Sequence, residues 1–408
     1  MTHAPAEPSK PNRVLLIIAY IGFVSLGLPD AVIGVAWPSV RDTFQLHQSD
    51  LGLVLIGSGC GYFLSSFFTG RLIQTLGIGI LLAGSSGLVA ASGLGYALAP
   101  FWLAFLACSL LHGLGSGAID GGLNSYAAHH LSARHMNWLH ACYCLGAMLG
   151  PLVLTSLLAA GYSWRTGYAV IGTTLLLLSL LFLATGRLWG QPAPADSAAG
   201  GHAGMSAALK QPIVWLQMAV FFIYTGLEVT VGQWSFTLFT ESRQVGAEAA
   251  GIWVSVYWGS IGVGRVLFGF AVERLGADRL LRLGMLTALA GTLLFASGGL
   301  GVLPFAGLAL IGLALAPVYP CLMTRTPQRL QTAHAAHAIG FQVSAAMLGA
   351  AALPSAAGLA AERTGLETIA WIAVGLAGLL WLLHEALIRC FPAPTPHAPV
   401  VLESKVPT

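Results

Sequence analysis

Three of the chain's fifteen acidic residues, Asp30, Asp120 and Glu228, fall well inside long apolar blocks, at roughly residues 14–40, 101–126 and 213–239. An ionisable side chain at membrane depth costs about 2.5–3.5 kcal/mol on insertion scales, so such groups usually face a cavity and carry a function. Removal from water disfavours the charged form of a carboxyl, which suits a group that takes up and releases a proton in each cycle. The competing reading is that each acid only pairs with polar neighbours to fix helix packing. Around Asp120 the neighbours speak against it. Gly113, Gly117, Asp120 and Asn124 recur at helical spacing and share one face. A close helix crossing explains the two glycines but not an acid and an amide. Asp30, Gly34 and Trp37 share a face in the same way, as do Phe221, Thr225, Glu228, Gly232 and Ser235. Polar solutes are held by a few polar groups in a mostly apolar pocket. The binding candidates are therefore Asp30, Trp37, Asp120, Asn124, Tyr143, Glu228, Trp234, Tyr257, Tyr319 and Gln342. For each aromatic, lipid-facing or interfacial packing is the alternative. His112 reads as a packing histidine.

The elements that position these residues follow from composition. Of 408 residues, 56% are hydrophobic and only 8% charged, too few charges to cover a water-soluble surface. The apolar residues come in blocks close to the ~20 needed to cross a bilayer as a helix. Backbone groups in lipid must be satisfied internally, which makes these blocks helices. The blocks lie at roughly 14–40, 51–70, 76–98, 101–126, 139–160 and 167–187, then 213–239, 250–271, 279–300, 303–324, 336–358 and 367–389. They are numbered helix 1 to helix 12 below. Between the sets runs a Pro/Gly/Ala/Ser stretch beginning at Gln191, which reads as a flexible linker. The expected organisation is an N-terminal six-helix bundle at 1–187, a linker at 188–212 and a C-terminal bundle with a short tail at 213–408.

With the N-terminus inside, fourteen of the eighteen lysines and arginines, Arg265 among them, fall on one side; Arg41, Arg165, Arg243 and Arg363 fall on the other. This positive-inside bias puts both termini and the linker in the cytoplasm. The halves also repeat. A shift of 199 residues aligns Gly27-Leu28 with Gly226-Leu227, Gly52 with Gly251 and Gly70 with Gly269. The same shift aligns Leu76-Gly77 with Leu275-Gly276, Gly113-Leu114 with Gly312-Leu313, and Ala147–Gly150 with Ala346–Gly349. Parallel six-helix repeats of this kind bind solute between the halves near the bilayer midplane.

The stretch Gly269-Phe-Ala-Val-Glu273-Arg274-Leu-Gly276 resembles the signature loop of the major facilitator superfamily. Its first-half copy, from Gly70 to Gly77, has Gln74 where that family usually has an acid. The resemblance implies an all-α membrane protein of the major facilitator fold, twelve transmembrane helices in two pseudo-symmetric bundles, with Gly269, Glu273, Arg274 and Gly276 as a gating loop. Gly27-Leu-Pro-Asp30 and the run from Gly113 through Asp120 to Asn124 are similar to the fucose permease branch, which includes proton-coupled and sodium-dependent sugar transporters. Gly226-Leu-Glu228 followed by Trp234, and Asn137-Trp-Leu-His140, resemble further positions of that branch. The resemblance implies that Asp30 and Asp120 serve coupling and sugar binding, with the Asn124 amide beside them.

The expectation is a monomeric secondary transporter in the cell (inner) membrane, moving a hexose or related sugar with protons rather than sodium as the coupling ion. Asp30, Asp120 and Glu228 are its proton-coupling residues. A drug or metabolite efflux antiporter on the same fold is the first alternative and a non-transporting receptor the second. The chain has no His-Glu-x-x-His, Gly-x-Ser-x-Gly or lysine-bearing phosphate loop, so no enzyme, cofactor or metal is expected. No basic run with interleaved aromatics points to nucleic acid.

Overall fold

The computed structural model describes residues 13–131, 133–189, 202–298, 301–330 and 332–392. Among them, twelve helices are long and apolar enough to cross a membrane, one for each expected block. The chain is an integral, multi-pass membrane protein.

Two spans that the sequence presents as continuous are broken. Helix 1 runs Arg13–Asp30 and resumes at Val32–Phe44, and helix 10 runs Leu303–Leu315 and resumes at Val318–Arg329. Pro29 and Pro317 explain the breaks, since proline lacks the N–H that the preceding turn needs and clashes with it. Asp30 therefore sits at a helix interruption, the setting in which transporters of this architecture place solute and ion sites. Helix 2 (Leu51–Leu76) and helix 11 (Thr332–Thr364) extend beyond their apolar blocks. The remaining spans are helix 3 (Ile78–Leu98), helix 4 (Trp102–His130), helix 5 (Ala133–Ala159), helix 6 (Trp164–Thr185), helix 7 (Pro212–Thr237), helix 8 (Ala247–Leu275), helix 9 (Ala277–Ala296) and helix 12 (Glu367–Cys390). The expected flexible linker is in part ordered: His202–Leu209 is a short helix with Ala208 fully buried, and it packs on helix 11. Residues 190–201 lie outside the described residues.

The repeat at 199 residues is geometric as well as textual. A side chain on Gly113 would meet the Ser58 carbonyl of helix 2 at 1.9 Å, and one on Gly312 would meet the Tyr257 carbonyl of helix 8 at 2.4 Å. Ser58 and Tyr257 are themselves 199 apart. Gly77 and Gly276 end helices 2 and 8 at φ +77° and +75°, which any other residue would adopt only under strain. Across the seam between the sets, Gly52 abuts Ser355 and Gly251 abuts Thr155, a reciprocal pair. The sets meet where helix 5 faces helix 8, helix 2 faces helix 11, and helix 1 faces helix 7.

Polar contacts across this seam cluster at the end away from Arg13. Arg41 Nη1 donates to Glu241 at 2.9 Å, and Gln48 Nε2 donates to the same carboxylate oxygen at 2.7 Å. His47 lies 3.2 Å from Glu362, and Ser355 Oγ donates to the Gly52 carbonyl at 3.4 Å. Nearer the Arg13 end, Arg265 Nη1 donates across the seam to the His140 carbonyl at 3.2 Å.

Candidate functional site

The three acids each engage a tyrosine. Asp30 Oδ2 accepts from Tyr143 of helix 5 at 2.9 Å, while Oδ1 lies 3.0 Å from His112 Nε2 of helix 4. Asp120 accepts from Tyr62 of helix 2 at 2.6 Å and from Asn124 at 2.8 Å. Glu228 accepts from Tyr224, one helical turn earlier, and its backbone carbonyl accepts from Tyr257 at 2.8 Å. The side chains differ in access. Asp30 is 28% exposed and Asp120 half-buried, whereas Glu228 is buried at 8%.

Tyrosines link these clusters across the seam. Tyr143 is within electrostatic reach of both Asp30 and Glu228, and Tyr319 within reach of both Asp120 and Glu228. Tyr62 senses Asp120, Tyr319 and Tyr143, and Asp120 senses Asp30. Carboxylates from helices 1, 4 and 7 thus lie within electrostatic reach of shared tyrosines where the two sets meet. Gln233 of helix 7 joins the sets there, donating to the Asp30 carbonyl at 3.0 Å, and Gly34 makes the approach possible because a side chain there would strike Gln233. The helix 4 glycines serve a different purpose. Gly113 and Gly117 bring helix 2 against helix 4, and that contact aims Tyr62 at Asp120.

Five of the expected binding residues join this group besides Asp30 and Asp120: Asn124, Tyr143, Glu228, Tyr257 and Tyr319. Three do not. Trp37 is fully buried against Trp102 and donates to Gln48 at 3.1 Å. Trp234 is fully buried and donates to the Pro354 carbonyl at 2.9 Å. Gln342 is fully buried in a network with Gln217 and Thr326. All three hold helices together. None of the five aromatic candidates lies among the exposed apolar side chains, so the lipid-facing alternative fails for each. In the expected gating loop, the Glu273 side chain lies outside the described residues and Arg274 is exposed. Beside it, Asp278 pairs with Arg325 at 2.6 Å and Arg329 at 3.2 Å, tying helix 9 to helix 10.

Sequence reasoning missed four members. His112 is an acid's partner rather than a packing residue. Arg265 belongs inside helix 8, where it reaches Glu228, Tyr143 and Tyr224 electrostatically; the charge tally had placed it with the loop cations. A search for embedded bases as well as acids finds both. Tyr224 stands four residues before Glu228, the same helical step that linked Asp120 to Asn124. Tyr62 gave no signal, because only the fold brings helix 2 to Asp120. Two apolar hollows of about 280 Å³ and 450 Å³ open elsewhere, one between helices 1 and 6 and one among helices 1, 5 and 8, and neither is lined by a carboxylate.

The chain belongs to the Major Facilitator Superfamily, whose family model matches residues 19–352 and 234–406. It is 24% identical to human Sodium-dependent glucose transporter 1, over 91% of this chain and 78% of that protein. It is 25% identical to the Glucose/mannose transporter GlcP of Bacillus subtilis, over 76% and 79%. The yeast Bypass of stop codon protein 6 is 25% identical over 92% and 83%. Among solved structures, a bacterial homolog of the lysosomal transporter Spinster, inward-facing and unoccupied, superposes with TM-score 0.79 at 12% identity, covering 94% of this chain and 98% of that one. A D-xylose-proton symporter superposes with TM-score 0.73 at 14% identity, covering 91% and 96%. These structures share the fold, and the chain is a transporter by family.

Proposed function

We propose that this protein carries a hexose or related sugar across the cell (inner) membrane by proton-coupled alternating access, acting as a monomer. The reading rests on one observation above all: carboxylates from both helix sets are each held by tyrosine hydroxyls, with the Asn124 amide beside Asp120, where the sets meet. Such groups match the donors and acceptors of a polyol. The names of the human and Bacillus relatives support a sugar as cargo. Asp30 and Asp120 bind solute hydroxyls and form, with Glu228 from the second set, the charged cluster that couples transport to protons, while Asn124 orients the solute. Residues 1–187 and 213–408 rock as two bodies about this site, joined by residues 188–212. The Arg13 end is the cytoplasmic end, with both termini there, which makes the clustered seam contacts an outer closure between the sets. The loop from Gly269 to Gly276 gates the cytoplasmic side. Trp37, Trp234 and Gln342 hold the helices around the site through their hydrogen bonds.

The test is uptake of labelled glucose and other hexoses into proteoliposomes under an imposed pH gradient. Accumulation above equilibrium that collapses with the gradient supports the reading. Uptake indifferent to the gradient, or no hexose uptake beside transport of an unrelated solute, overturns it.

A further inference from the structure

We infer that His112 is the residue that makes this transporter read protons and not sodium: the imidazole, held on Asp30, carries the coupling proton. This deepens the transport reading above and rests on it for coupling, though not for the identity of the cargo.

The geometry around Asp30 is that of a proton site. One carboxylate oxygen faces His112 Nε2 at 3.0 Å and the other accepts from Tyr143 at 2.9 Å. The imidazole is nearly closed off, its side chain 10% exposed, while the carboxylate stays open at 28%. A hard cation such as sodium is bound by several oxygens, and unwound carbonyls at a helix interruption are where this architecture supplies them. Here the Asp30 carbonyl at the break already accepts one hydrogen bond, from the Gln233 amide. Oδ1 faces an imidazole nitrogen that as an N–H offers nothing to a cation, and the one oxygen facing the carboxylate among the described residues is the Tyr143 hydroxyl, on Oδ2. A proton needs none of these contacts broken. It adds to the second imidazole nitrogen, the Nε2–H···Oδ1 bond stays in place, and the pair changes from net −1 to net neutral. On release the proton leaves from that same nitrogen.

The titratable groups that sense the pair's carboxylate come from helices 3, 4 and 5. Tyr96 of helix 3, Asp120 of helix 4 and Tyr143 of helix 5 all sense Asp30, and Gln233 of helix 7 bonds its backbone. Glu228 and Arg265 reach Tyr143 from the second set and offset one another. Neutralising the pair therefore removes one negative charge at the seam, where Asp30 also touches the opposite set. That places the proton's effect on the contact that rocking must make and break.

The experiment does not depend on the cargo. Spin labels at Tyr162 and Glu248, exposed positions on either side of the seam at the end away from Arg13, report the separation of the sets by pulsed electron resonance. The purified protein, its native cysteines replaced by serine, is measured at pH 5.5 and 8.5, with sodium or choline as the cation. The wild type is expected to shift its two distance populations by roughly tenfold between the pH values and not at all with sodium. His112→Gln keeps an N–H for Asp30 but cannot be protonated, and it is expected to lose the pH response while its distances remain those of a folded transporter. A pH response that survives in His112→Gln, no pH response in the wild type, or a sodium response in the wild type overturns the inference. Hexose uptake is scored separately, so a wrong cargo and a wrong coupling residue give different results.

Discussion

Glu241 offers the sharpest test of how the two sets are held together. Its carboxylate accepts from Arg41 and Gln48 across the seam, so Glu241→Ala removes both bonds and leaves Arg41 only Asp42, at 3.0 Å. A charged hydrogen bond contributes about 1.5–3 kcal/mol when buried and a neutral one about 0.5–1.5. The side chains of Arg41 and Glu241 are 19% and 27% exposed. Water thus compensates part of the loss, and exposed pairs fall to about 0.2–1 kcal/mol. The net effect on closure is about 1–2 kcal/mol, a ~5- to 30-fold shift of population toward separation at that end. Distances between labels at Tyr162 and Glu248 read this shift directly. The control is Glu367→Ala, which breaks the paired bonds from Arg243 at 2.9 and 2.7 Å but joins helix 12 only to the end of helix 7 in its own set. It is expected to lower the melting temperature and leave the distances alone. If Glu241→Ala keeps the wild-type distances while Glu367→Ala shifts them, the assignment of the seam is wrong.

Two further outcomes follow from packing and charge. Gly113→Ala forces a methyl onto the Ser58 carbonyl, where the gap is 1.9 Å, and is expected to destabilise by about 1–3 kcal/mol in detergent thermal unfolding. Gly70→Ala meets nothing within 4 Å and is expected to be neutral or to stabilise by about 0.5–1 kcal/mol. Arg265→Gln leaves the buried Glu228 without its nearby cation and is expected to destabilise the fold, by less than the loss of about 3–5 kcal/mol for a broken buried ion pair because the two groups are not in contact. Adding Glu228→Gln in the same chain should recover part of that loss. Additive losses in the double variant would show that the two groups do not interact.

The sequence carried the architecture because the bilayer imposes strong constraints. Twelve apolar blocks, a 199-residue repeat and three acids in oil are each improbable in any other class of protein. Helix ends were less legible: helix 11 runs to Thr364, past its apolar stretch, since a helix continues into the polar interface while its hydrogen bonds hold. Pro29 and Pro317 marked the breaks in helices 1 and 10, but hydropathy averages over such interruptions. At the site, the acids stood out by type, whereas Trp37, Trp234 and Gln342 were chosen by chemistry alone and are buried in contacts between helices. Partners separated by more than fifty residues, such as Tyr62 and Asp120 or His112 and Asp30, exist only once helices 1, 2 and 4 are assembled.

A structure determined with glucose bound tests the account at its centre. Sugar density within hydrogen-bond reach of Asp30 and Asp120, on the side facing Glu228, is the result expected of a space shared between the two helix sets. Density confined to one set, or lodged in the apolar hollow beside Thr174 with the three carboxylates untouched, would contradict it.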